Sequence, residues 1–107
     1  MSGGALIAVA LALVAGACQP PAASLPPSPV EGVVVSVDAA SLGDVKGFGL
    51  RTSDGAVYAL TLGNLENATE FSPSHLAEHQ ATSSPIRAWY RLVNGVPTVY
   101  RLEDASG

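Results

Sequence analysis

Two histidines four residues apart, His75 and His79, lie in the run Ser72-Pro73-Ser74-His75-Leu76-Ala77-Glu78-His79-Gln80-Ala81. On a helix this spacing puts both imidazoles on one face, where they can share a zinc-type ion, with Glu70 or Glu78 as a third ligand. The competing arrangement is ordinary packing, in which Leu76 and one histidine cover a core while Glu78 and the other histidine face water. A second constellation follows in Ile86-Arg87-Ala88-Trp89-Tyr90-Arg91-Leu92. In a strand, Ile86, Ala88, Tyr90 and Leu92 share one face and Arg87, Trp89 and Arg91 the other. With the aliphatic set inward, Trp89 points out between two guanidinium groups, and Arg101 on a neighbouring strand joins the patch. Such a face can anchor a partner protein, a sugar ring or an anionic group. The alternative is a structural tryptophan protected beneath the arginine side chains.

The letters His-x-x-Glu-His also match an inverted zinc-peptidase motif. Peptidases of that kind need a further carboxylate on a second helix and a substrate cleft, and a small domain with one short helix has no room for either. No nucleophile triad, phosphate-binding glycine loop or CxxC pair is present, and the carboxylates are scattered. No enzymatic activity and no cofactor are expected. Asn67-Ala68-Thr69 fits a glycosylation sequon, a short match that is uninformative by itself.

That N-terminus is an apolar run from Ala5 to Ala17 ending in Val14-Ala15-Gly16-Ala17-Cys18, which contains the only cysteine. A helix of that length spans about 20 Å, too short for a hydrocarbon core of about 30 Å. It suits the centre of a signal peptide, with small residues before the cleavage point. The segment resembles bacterial lipoprotein signal peptides, in which the cysteine after a small-residue box becomes the acylated mature N-terminus. The resemblance implies that residues 1–17 are removed and that Cys18 is lipidated. It places the protein in the bacterial cell envelope, extracytoplasmic and membrane-anchored. A lone cysteine forms no internal disulfide.

Residues 18–29 hold five of the eight prolines and no charge. Proline favours extended polyproline II backbone, so the stretch reads as a flexible stalk able to hold a domain roughly 35 Å from its anchor. All charged side chains follow it, nine acidic against five basic, with a net charge of −4. Without clustered Lys and Arg the domain is a poor candidate for nucleic-acid binding. Its size, residues 30–104, fits one small domain, expected to be a monomer.

Hydrophobic periodicity in that domain is two, not 3.6. Strands are predicted over Glu31–Asp38, Lys46–Thr52 and Val57–Leu62, with Ser53-Asp54-Gly55 as a tight turn. A short helix is expected over 73–81, capped by Ser72 with Pro73 in its first turn. Strands resume over 85–93 and 96–103 around an Asn94-Gly95 hairpin turn. Glycines 32, 47 and 49 suit sharply bent strands. The order β-β-β-α-β-β is that of a mainly β, five-stranded OB-like barrel, whose rival, an SH3-like barrel, lacks a true helix at that point. The whole resembles small bacterial lipoproteins with OB-like domains. This resemblance implies binding of an oligosaccharide, peptide or protein, for which Arg87, Trp89, Arg91 and Arg101 are the candidate residues. Metal binding at His75 and His79, or a purely structural envelope role, are the other classes.

Overall fold

A computed structural model describes residues 24–41 and 43–105. Five strands, β1 (Val30–Ser41), β2 (Asp44–Arg51), β3 (Val57–Leu62), β4 (Ile86–Val93) and β5 (Val96–Asp104), enclose a core capped by one helix, α1 (His75–Thr82). The signal segment, Cys18 and the first part of the proline-rich stretch lie outside the described residues.

The strands close in the order β1-β2-β3-β5-β4, and β4 returns to β1. All pairings are antiparallel except β3 with β5. With a helix between the third and fourth strands, this is OB-type topology rather than an SH3-like barrel. Closure rests on short ladders, two residue pairs between β3 and β5 and three between β1 and β4.

β1 serves two neighbours. Its first residues, Val30 to Gly32, pair with β4, and from Val33 onward it pairs with β2. Gly32 stands at the changeover, where a Cβ would lie 2.5 Å from the Arg51 carbonyl oxygen. Only glycine lets the strands approach so closely at this corner. A register shift between Val34 and Ser36 then moves the inward set. Val30, Gly32 and Val34 are buried by plain alternation, the shift brings Val37 rather than Ser36 beside the core, and Val33 and Val35 are only partly covered.

The interior is filled by Val34, Phe48, Leu50, Leu60, Ile86, Val99 and Leu102, with Leu76 of α1 and Phe71 closing one end. An eight-residue helix is not stable alone in water, whereas fully burying a leucine contributes about 2–3 kcal/mol. Leu76, with no exposed surface, therefore holds α1 on the barrel. The helix starts later than the serine and proline signals suggest. His75, Leu76 and Ala77 donate to the carbonyls of Ser72, Pro73 and Ser74, three residues back, so the entry is a tightened turn. Ser72 spends its hydroxyl on Ser74 Oγ rather than on a helix amide. Ser83 ends the helix in the left-handed conformation, at φ 58°.

Candidate functional sites

The first site is at the helix end of the barrel. α1 brings the His75 and His79 rings to a centroid distance of 4.7 Å at right angles. Phe71 packs edge-on against His75 and stacks on His79. Asp104, at the end of β5, completes the group. Its Oδ1 is 2.7 Å from His79 Nε2 and 3.5 Å from His75 Nε2. His79 is buried, His75 half-buried and Asp104 exposed. On the other side of each ring, His79 Nδ1–H donates to the Ser84 carbonyl at 2.9 Å, and His75 Nδ1 bonds the Glu78 carboxylate.

The carboxylate between the two imidazoles is thus Asp104, which sequence spacing could not nominate because it lies twenty-five residues from His79. Glu78 is engaged at the opposite nitrogen of His75. Glu70 is exposed and stands outside the group.

The second site is the outer face of the β4–β5 hairpin. Trp89 pairs across the ladder with Arg101, and the guanidinium lies 5.5 Å from the indole centroid, within cation–π range. A register shift follows, since Tyr90 faces Val99 and leaves Tyr100 as the extra residue. Simple alternation would send Tyr100 inward with Leu102. The bulge turns it out instead, beneath Arg91, whose guanidinium sits 4.1 Å above the phenol ring. Tyr100 is the residue of this face that periodicity hides.

Two of the three basic side chains named for this face have carboxylate partners. Arg87 pairs with Glu31 across the β1–β4 ladder at 2.5 Å. Arg101 donates two bonds to Glu103 and one to Glu66. The Glu103 bond raises the Arg101 pKa against partial desolvation, and Glu66 adds to the effect. Trp89 and Tyr100 are half-buried under the Arg101 and Arg91 guanidinium groups, and Arg91 is the exposed charge of this face. Beyond it, β4 runs past the barrel end, so Leu92, expected inward, is 60 % exposed. Val93 and Val96 are exposed beside it at the hairpin tip. The tip is an Asn94-Gly95 turn with both φ positive, as two-residue hairpins of this kind require.

The described part of the proline-rich stretch lies against β4. Tyr90 N–H donates to Ser28 Oγ at 3.0 Å, and the Tyr90 hydroxyl donates to the Pro26 carbonyl. Leu25 and Pro26 are half-buried there.

No protein family, curated protein or solved structure matches the chain. Among the described residues, no helix is long and apolar enough to cross a membrane.

Proposed function

We propose that this protein is a lipid-anchored component of a bacterial envelope, whose barrel is a protein-interaction module reading its partner with the β4–β5 hairpin. The anchor rests on the apolar run before Cys18. The observation that carries the interaction reading is that Trp89 and Tyr100 on the outer face of the hairpin lead, on the same face, to the exposed pair Val93 and Val96, with Leu92 exposed on the other side of the tip. Aromatic rings beside aliphatic side chains suit the apolar centre of a protein interface. An anionic ligand would meet Arg87 and Arg101 already neutralised. A glycan would use the rings but gain little from three aliphatic neighbours. The OB-type fold itself selects no ligand.

Two measurements test the reading in the native host. The mass of the N-terminal peptide from the membrane fraction is expected to show Cys18 carrying acyl groups; an unmodified Cys18 or a retained Met1 removes the anchor. A photo-crosslinking residue placed at Val96 is expected to capture one envelope protein, with capture at least tenfold weaker after Trp89→Ala or Tyr100→Ala. Capture unaffected by both substitutions, or Trp89 fluorescence that responds only to glycan fragments, overturns the protein-interaction assignment.

A further inference from the structure

We propose that His75, His79 and Asp104 form a site for one divalent transition-metal cation of the zinc type. It is separate from the hairpin face, at the end of the barrel that α1 covers.

The argument rests on which ring atoms face which partners. Nδ1 of His79 faces the Ser84 carbonyl, and Nδ1 of His75 faces the Glu78 carboxylate. Both partners are acceptors, so the hydrogen of each ring belongs on Nδ1. Each Nε2 then faces Asp104 Oδ1, at 2.7 Å and 3.5 Å. Two ring nitrogens and a carboxylate oxygen converge on one volume, where the 2.7 Å contact is a hydrogen bond between His79 and Asp104. One proton can bridge one nitrogen to the oxygen and leaves the other unserved. A divalent cation serves all three.

The surroundings are those of a ligating histidine pair. Metal-bound imidazoles ordinarily donate their second N–H to a carbonyl or carboxylate, which fixes ring orientation and raises ligand basicity. Ser84 and Glu78 do this here, one for each ring. Phe71 packs on both rings and limits their swing. The depression in front of the cluster is lined by His75, Glu78, His79, Thr82, Ser84 and Asp104 among others, and no lysine or arginine lines it. Its electrostatics favour a cation.

Zinc with bonds of about 2.0–2.2 Å in tetrahedral geometry sets its donor atoms roughly 3.3 Å apart. The donor atoms here all lie within 4.8 Å of one another. With the buried His79 fixed, the exposed Asp104 must draw back from its 2.7 Å contact with His79 Nε2 while the half-buried His75 closes in, both by rotamer adjustment. Two imidazoles and one carboxylate suit a borderline cation better than calcium or magnesium, which prefer all-oxygen shells. Three protein ligands leave a coordination position open to solvent.

The test is a zinc titration of the full chain carrying Cys18→Ser, which removes the thiolate as a competing ligand, read by calorimetry and by ¹⁵N resonances of the imidazoles. One zinc per chain is expected at micromolar concentrations, with the Nε2 resonances of both His75 and His79 displaced. His75→Ala and Asp104→Ala are each expected to weaken binding at least tenfold, and Glu78→Gln by up to tenfold through loss of ring orientation. Circular dichroism establishes that each variant is folded. Failure to bind below about 100 μM overturns the site, as does binding that leaves both Nε2 resonances unmoved. The resonance measurement needs no ligand substitution, so it decides the matter even where one unfolds.

Discussion

The side-chain amide of Asn67 pairs with the backbone of Leu102 as though it were a sixth strand. Its Nδ2 donates to the Leu102 carbonyl at 2.6 Å, and its Oδ1 accepts from the Leu102 N–H at 3.3 Å. The Asn67 carbonyl also accepts from Glu70 and Phe71, so one buried residue ties the β3–α1 connection to β5 and sets Phe71 beneath the histidines. Removing the amide leaves two buried backbone groups unpaired. Asn67→Ala is expected to lower stability by about 2–4 kcal/mol, measured by denaturant unfolding. Asn67→Asp, which sets a carboxylate against the Leu102 carbonyl, should be at least as damaging.

Gly32→Ala tests the barrel corner. The new methyl would meet the Arg51 carbonyl at 2.5 Å and Leu50 Cγ at 2.9 Å. Because the first neighbour is backbone, the β1–β2 pairing itself must shift, at a cost of roughly 1–3 kcal/mol. Alanine at Gly43, where nothing lies near the added carbon, is the control and should leave stability within about 0.5 kcal/mol.

Asp54 gives a pH signature at the β2–β3 turn. The Thr52 hydroxyl donates to its carboxylate, the Ala56 N–H donates at 3.1 Å, and these bonds hold its pKa below the usual carboxylate value. A depressed folded-state pKa stabilises the turn above the unfolded-chain value and loses that contribution as pH falls through the folded one. Amide protection of Gly55 and Ala56 should therefore hold from neutral pH down to about pH 4 and decline below it. Asp54→Asn should remove that dependence. A Gly55 and Ala56 profile unchanged by the substitution would assign the transition to another group.

Leu92→Lys and Val96→Lys separate function from folding at the hairpin tip. Both side chains are exposed, so the melting temperature should move by less than about 3 °C. Partner crosslinking should fall at least tenfold, because each charge would be buried in the interface.

Local signals carried the strand order. Alternation marks each strand, and Asp54-Gly55 and Asn94-Gly95 mark the two tight hairpins. What escaped is whatever depends on a register shift or a remote partner. The shift after Val34 brings Val37 rather than Ser36 to the core side, and the shift after Trp89 turns Tyr100 outward. Both are one-residue events invisible to a period of two. His75 and His79 were readable as a pair because four residues make a helical turn. Asp104 reaches them only because β5 ends where α1 lies. Likewise the carboxylate partners of Arg87 and Arg101 come from β1, β5 and the connection before α1, and the contacts of Ser28 and Pro26 with Tyr90 need the barrel assembled first.

Those contacts also give the barrel a heading. β1 pairs antiparallel with β4, and the chain before it continues along β4 from Ala88 to Tyr90, toward the hairpin and away from Ile86, Asp104 and the helix. A tether on the N-terminal side therefore pulls from the hairpin end. The hairpin would then face whatever holds the chain, while the His75, His79 and Asp104 cluster would look away from it.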